Sequence, residues 1–444
     1  METKKSSRFY FWLIEAFIKK HYILITIGVV VGFLISSLLS TFQVSMPKIQ
    51  KKTMIGVVGN YDISTLPPFI QKKLSRGLTK FEENKDVVGD LAEEIKIDEN
   101  GKKYTYILKD NIRWQDNKSL TSKDINYNFK DVTVETPNDK TIVYILKDSF
   151  APFKSLTTQP IFRPALMGLG EYKLVNIKRS NQRIDFLTIK EIKSGVETIY
   201  KFYPSEQAAI TGFKLGEIDS VEEIKDKSKI ESLKNIKITS IVNRNSYVAV
   251  FINLREQSLQ DKAIRQALAY SVPEEVKNGN RAITPYETSS WVYNESVKKY
   301  DFDLENAKKL LGKTKNASSS AELNLTLTAI DTYKDSAEKL KEGWKEIGIN
   351  AEIQLVKTKP ENFQLLLASS AISQDPDQYN IWHSTQGTNI TGYQSPKVDK
   401  LLEEGRKVTD KSQRKQIYLD LQKALLEDLP AIFLYYPTTY KIER

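Results

Sequence analysis

A chain of 444 residues with 40% hydrophobic and 10% aromatic content can bury two or three cores, which excludes a disordered protein. The net charge is +10, of which the first fifty residues carry +4; the remainder is spread among interspersed Lys and Glu, without the clustered basic stripe that nucleic-acid binding requires. The absence of cysteine excludes disulfides, a thiolate-held metal and a lipid-modified cysteine anchor.

In chain order, the first feature is Tyr22 to Phe42, strongly apolar within a stretch free of charge to Pro47. At a rise of about 1.5 Å per residue it is long enough for the ~30 Å hydrocarbon core of a bilayer, and longer than the apolar region of a cleaved signal peptide. Five basic residues precede it, and Lys48, Lys51 and Lys52 follow. This pattern predicts a transmembrane anchor with a cytoplasmic N-terminus, an aromatic cluster at Phe9 to Trp12 near the headgroups, and a tether from Gln43 to Lys52. Met54 to Val58 reads as a buried strand and Ile70 to Phe81 as one short amphipathic helix. Asp98 to Gly101 is a turn. Lys103 to Leu108 alternates as a strand, with Tyr104, Tyr106 and Leu108 on one face. Thr121 or Ser122 with Asp124 forms a capping box.

Thr141 to Leu146, Arg183 to Ile189, Val196 to Phe202, Tyr247 to Asn253, Leu323 to Thr328, Phe363 to Leu367 and Ala431 to Tyr436 read as strands. Helices are expected at Glu206 to Leu215, Leu259 to Ser271, along the stripe Ala337, Leu340, Trp344 and Ile347, and at Val398 to Val408 and Gln413 to Leu429. Gly312 to Ser320 is a polar linker.

The segment from Val88 to Phe129 places Leu91-Ala92, Tyr104-Thr105-Tyr106, Trp114-Gln115-Asp116 and Leu120-Thr121-Ser122-Lys123-Asp124 in order. It resembles the signature of the family 5 extracytoplasmic solute-binding proteins, the oligopeptide, dipeptide and nickel receptors of ABC importers. Further segments are similar in the same order: Ala151-Pro152-Phe153, Gly168 to Leu174, Gly216-Glu217-Ile218-Asp219, Asp261 to Ala269 and Asp301 to Leu311. Departures are Asn117-Lys118 for the usual Asp-Gly, Glu171 for Pro, and almost no insertion between Phe129 and Thr141.

The resemblance implies an α/β, two-lobed periplasmic-binding-protein-like fold of the class II type, with mixed sheets and two crossover strands. The crossings are expected near Asn243 to Val250 and Leu429 to Leu434. Lobe I would take residues 51–245 and 430–444, with a shortened extra subdomain around 75–140; lobe II would take 246–429; residues 1–50 would be tail, anchor and tether. It also implies a peptide or similar oligomeric solute held between the lobes, and partnership with an ABC permease and a separate ATPase. The C-terminal domain would lie outside a single-pass membrane anchor. An anchored scaffold or sensor that keeps the fold without transport is the alternative.

With only His21 and His383, and no Gly-rich phosphate loop, the chain offers no catalytic set and is not expected to be an enzyme. No cofactor or metal is expected either; a lone His383 is a loop residue. The resemblance points to Ser369 to Tyr393 as the ligand region, naming Asp375, Asp377, Tyr379, Trp382, Asn389 and Tyr393, with Trp291 from a separate loop. Asp377 could instead cap a helix and Tyr393 could pack within its lobe. Trp114 is read as core, Arg265 as a structural ion pair, and Asn253 as a tie between lobes. Peptide-binding relatives hold the ligand's amino group with an acid just before the Asp-Pro-Asp turn; here Ile372 stands there, and no acid occurs between Glu361 and Asp375. The expectation is therefore a solute held by backbone hydrogen bonds and the walls of Tyr379, Trp382 and Tyr393: a peptide of loose sequence or a neutral oligomer such as a sugar chain.

Overall fold

A computed structural model describes residues 3–41, 52–98, 100–277, 280–313 and 323–444. The chain divides into two units, one up to Lys51 and one from Lys52 onward. The first is a single helix, α1 (Thr3–Thr41), whose backbone leaves helical geometry at His21. Its apolar stretch Phe9–Ser37 has 29 residues, a mean hydropathy of 1.8 and no buried side chain. By length and composition it could cross a membrane. Phe42 and the tether that follows lie outside the described residues, as does most of the polar linker after Lys313.

The strands of the second unit are β1 (Thr53–Val58), β2 (Thr79–Phe81), β3 (Val87–Gly89), β4 (Ala92–Ile97), β5 (Lys103–Leu108) and β6 (Val132–Asn138). Next come β7 (Thr141–Leu146), β8 (Tyr172–Ser180), β9 (Arg183–Glu191), β10 (Glu197–Tyr203), β11 (Ser220–Ile224) and β12 (Lys237–Val242). Then follow β13 (Ser246–Ile252), β14 (Leu323–Ile330), β15 (Ile349–Val356), β16 (Leu365–Ala371), β17 (Ala431–Tyr435) and β18 (Thr438–Glu443). Its helices are α2 (Pro68–Leu74), α3 (Phe153–Leu156), α4 (Glu206–Lys214), α5 (Lys262–Tyr270) and α6 (Glu274–Lys277). After them come α7 (Leu304–Leu311), α8 (Lys334–Lys345), α9 (Tyr379–Trp382), α10 (Pro396–Lys407) and α11 (Lys411–Asp428).

Lobe I is built on a seven-stranded mixed sheet ordered β12-β18-β11-β1-β10-β9-β8. β1 runs parallel to both neighbours. Its side chains alternate between two cores, Met54 and Val58 packing against α4, Ile55 and Val57 on the face that α2 covers. Gly56 between them is a fit of size: a Cβ there would stand 2.4 Å from the Ile218 side chain. A four-stranded antiparallel sheet, β4-β5-β7-β6, forms a smaller layer whose core is aromatic: Tyr104, Tyr106, Trp114, Tyr144 and Phe153.

Lobe II is built on the sheet β15-β14-β16-β13-β17. The expected strand Tyr247 to Asn253 supplies β13, at most 2% exposed from Tyr247 to Ile252 because both faces are covered. Trp344 of α8 is also buried, and its indole N–H donates to Leu268 O of α5 at 3.0 Å.

The chain passes between the two sheets twice. The first crossing, Asn243–Asn245 between β12 and β13, lies within the expected stretch. The second does not. β17 pairs with β13 in lobe II, so the passage falls at Tyr436–Pro437 and only β18 returns to lobe I. The two crossings touch: Asn243 N–H donates to Pro437 O at 2.8 Å, and Arg244 lies over the Tyr436 ring.

One other expectation is corrected. Ile70 to Phe81 is not one helix. α2 stops at Leu74 because Ser75 is extended, its hydroxyl bound to Ile161 O, and Gly77 lies against the backbone of Thr157–Gln159 too closely for any Cβ. The short segment between Phe129 and Thr141 supplies β6, an edge strand paired with β7. The capping box at Thr121 and Asp124 forms as expected, but it closes a single 3-10 turn.

Candidate functional site

The loop after β16 is shaped by its own carboxylates. Asp375 accepts the N–H of Asp377 and Asp377 accepts the N–H of Tyr379, both at 3.0 Å, giving two successive turns. Each acid also meets an arginine. Asp375 receives Arg414 from the first turn of α11 in a fork, at 2.7 and 3.3 Å, with both residues buried. Burial alone would lower the pKa of Arg414, but Asp375 and Tyr418 outweigh it, and the guanidinium stays charged. Asp377 accepts Arg406 Nε at 2.9 Å. The Arg406 guanidinium lies 3.8 Å from the Tyr379 ring centre, and Tyr379 stacks in turn on His383. His383 is buried; its Nδ1 accepts Thr385 N–H and its Nε2 faces Glu403.

Three of the expected ligand residues turn inward. Trp382 is fully buried, edge-on to Phe433 of β17. Asn389 is buried and closes its own loop, its amide donating to Tyr393 O at 2.8 Å and its carbonyl accepting from Thr391. Tyr393 is buried and its hydroxyl donates to Asp428 at 2.6 Å. Burial and Asp428 push that phenol well above its ordinary pKa. Polar spacing in sequence resembles a cleft wall, but Trp382 and Tyr393 pack into the core of the lobe and Asn389 closes its own loop.

The other elements create a cleft between the lobes, of about 530 Å³ including its open mouth. From lobe I come Asp86 at the end of the β2–β3 turn and Lys154 and Ser155 of α3; from lobe II come Trp291, Asp375, Lys411 and Arg414. Trp291 and Asp375 are thus the two expected residues brought together here. Asp377 and Tyr379 lie behind them, held by Arg406. The rim is bridged. Lys411 pairs with Asp86 at 2.5 Å, Trp291 N–H donates to Asn84 O, Ser149 donates to Lys407 O, and Ala151 N–H donates to Arg406 O. Burial would raise the Asp86 pKa, yet its bonds to Lys411 and to Val87 N–H hold it below the usual carboxylate range. Lys154 is pushed down, chiefly by burial, with Asp86 opposing and Lys411 and Arg414 adding like charge.

Lys154, Lys411, Arg414 and Asp86 were not singled out in the sequence. Lys411 and Arg414 are three apart and share one face at the start of α11, but nothing distinguishes that pair among 66 basic residues. Arg265 is structural, although its guanidinium donates to the carbonyls of Leu259, Gln260 and Asp428 in place of an ion pair. Asn253 binds Phe363 O and Gln364 O, tying strands within lobe II and not the lobes to each other. Trp114 is core. Among the described residues no group of three His, Asp or Glu could hold a metal ion.

Two lobes on mixed sheets, joined by paired crossings and facing each other across a polar cleft, define the class of two-lobed solute receptors. Residues 86–392 match the family described as bacterial extracellular solute-binding proteins, family 5 Middle, and the chain belongs to it. It is similar to the oligopeptide-binding protein AppA of Bacillus subtilis, at 26% identity over 84% of this chain and 82% of that protein. It is also similar to the dipeptide-binding protein of Escherichia coli, at 21% identity over 86% of each. Among solved structures, AppA of B. subtilis in complex with a nonapeptide superposes with a TM-score of 0.63 at 23% identity, covering 88% of this chain and 94% of that one. NikZ of Campylobacter jejuni in complex with Ni(L-His) superposes with a TM-score of 0.68 at 23% identity and the same coverage.

Proposed function

We propose that this protein is the membrane-anchored, extracytoplasmic receptor of an ABC importer, taking a peptide or similar oligomeric solute between its lobes and delivering it to a permease. The ATPase is a separate chain, and this one catalyses nothing. The observation that carries the reading is the cleft itself: polar groups from both lobes converge on it, and among the described residues the lobes are joined through two short crossings and contacts at the rim. Such a linkage permits rigid-body closure, and a solute touching both walls favours the closed form by its differential contacts. The peptide-binding relatives support the solute class, and α1 supports the anchor.

The test is to identify by mass spectrometry what co-purifies with the full-length protein, and then to measure closure by small-angle scattering with that compound. A bound peptide and a smaller radius of gyration are expected. An unchanged radius with a compound of proven affinity would remove the hinge mechanism. Retrieval of the permease by crosslinking in the membrane tests delivery.

A further inference from the structure

α1 is longer than one crossing needs. Its 39 residues, at a rise of about 1.5 Å each, make a rod of about 58 Å against a hydrocarbon core of ~30 Å. The charge-free run that starts at Tyr22 fills that core alone. Drawing in the preceding turns as well would place Glu15, Lys19 and Lys20 among acyl chains. The backbone divides at the same point: His21, at φ −120° and ψ 17°, leaves helical geometry. A bend there separates Thr3 to Lys20 from the span.

The leftover segment has two faces. Phe9, Leu13 and Phe17 form one row at four-residue spacing, and Tyr10, Ile14 and Ile18 form the row beside it; all six are exposed. Glu15 and Lys19 lie across the helix from both rows and pair at 2.9 Å. By the same spacing Lys4 and Arg8 belong to their row. Trp12 stands beside that row, where an indole suits the headgroup level, and Lys20 stands at the bend. Water would leave the apolar rows bare, and hydrocarbon would strand the charges. The boundary between the two satisfies both faces. Five basic residues against two acids among the first twenty give the segment a net positive charge, which favours a negatively charged leaflet.

We propose that Thr3 to Lys20 is a separate interfacial helix, laid along the cytoplasmic leaflet on anionic phospholipid. Phe9, Leu13 and Phe17 enter the acyl layer, and the charged row stays at the headgroups. This rests on the anchor reading above and goes beyond it: α1 makes one crossing and one surface contact, and the second ties the receptor to lipid charge.

The chain has no cysteine, so single cysteines introduced into the full-length protein take one spin label each. The set is Phe9→Cys, Leu13→Cys, Glu15→Cys, Phe17→Cys and Lys19→Cys, with Val29→Cys as a reference inside the span. Each variant is reconstituted in vesicles of phosphatidylcholine alone, or mixed equally with phosphatidylglycerol. Collisions with oxygen, which favours the acyl layer, and with a water-soluble nickel chelate are read by electron paramagnetic resonance. In mixed vesicles the oxygen-to-nickel ratio should follow the helical period, several-fold higher for labels at Phe9, Leu13 and Phe17 than at Glu15 and Lys19. The contrast should shrink in phosphatidylcholine alone, in high salt, and in a Lys4→Gln, Lys5→Gln, Arg8→Gln background. Should one label perturb the helix, the others still define the period. A ratio that climbs steadily from Phe9 to Val29 would make α1 one continuous span and overturn the proposal. Uniform nickel access from Phe9 to Lys19 would overturn it as well. A period equally strong in both lipids would overturn the anionic assignment. Spin–spin broadening at Phe9, Leu13 and Phe17 would give the apolar rows to a second copy of the chain and overturn the lipid occupant. A mature protein lacking α1 would overturn the anchor reading itself, and this proposal with it.

Discussion

Asp375 and Asp377 are the two acids that the sequence offers to a ligand's amino group, and each already has a guanidinium. For Asp375 the pair is buried on both sides, so removing one partner strands the other charge. Asp375→Asn should cost roughly 3–5 kcal/mol in a urea unfolding titration followed by tryptophan fluorescence. A double variant, Asp375→Leu with Arg414→Met, should lose less than either single change, since no charge is then left unpaired. A double variant as unstable as the sum of the singles would show that the pair is not coupled. For the ligand, N-acetylation should lower affinity by less than about tenfold, because neither carboxylate is free to hold an ammonium. Calorimetry with a peptide and its acetylated twin decides this, and a larger loss would mean that one of the arginines lets go on binding.

At the scale of elements, the contact between the β2–β3 turn and the start of α11 joins the lobes through Asp86 and Lys411. The Asp86 pKa is depressed in the folded protein, so its contribution is present above the ordinary carboxylate pKa of about 3.9 and is lost as pH falls through the depressed value. With solute bound, the lobes should therefore stay bridged across the neutral range. Asp86→Asn should loosen them at pH 7, seen as a larger radius of gyration by scattering. Lys411 is half exposed, so the stability change should be small and the change in shape the more sensitive readout. No change in shape would assign closure to the backbone bonds at Asn84 and Ala151.

Elements with a strong period were legible in the sequence: β5, β13, α8 and α11 lie where the apolar spacing puts them. The helix drawn through Ser75 was not, because the hydrogen bond that ends α2 comes from Ile161, far along the chain. β6 and β12 are edge strands and β18 is a half-exposed inner one, and all three carry little apolar signal. The site was legible only in part for a related reason. Asp375 and Trp291 were found, but Lys154 and Asp86 reach the cleft through topology, and Trp382, Asn389 and Tyr393 are buried by tertiary packing that no local pattern reveals.

For the whole molecule, the free energy of retaining α1 in a bilayer is separate from that of folding the second unit. The native protein should stay with membranes through carbonate and high-salt washes, and its first residues should be recoverable from the mature chain by mass spectrometry. A mature N-terminus near Thr41 would make the helix an export signal and not an anchor.

The order in which the seven-stranded sheet is assembled has a consequence for biosynthesis. β1 is among the first segments of the second unit, yet β18, next to the C-terminus, lies between β11 and β12 and is paired to both. Lobe I therefore lacks the strand that joins β12 to the other five until residues 438–443 have emerged behind all of lobe II. Folding of lobe I is thus not strictly vectorial: β11, β1, β10, β9 and β8 can pair as they emerge, but β12 must wait for β18. A chain stopped after Pro437 would keep nearly every residue of lobe II and still fail to complete lobe I. Limited proteolysis of that truncation should release lobe I fragments at once, whereas the full-length protein resists.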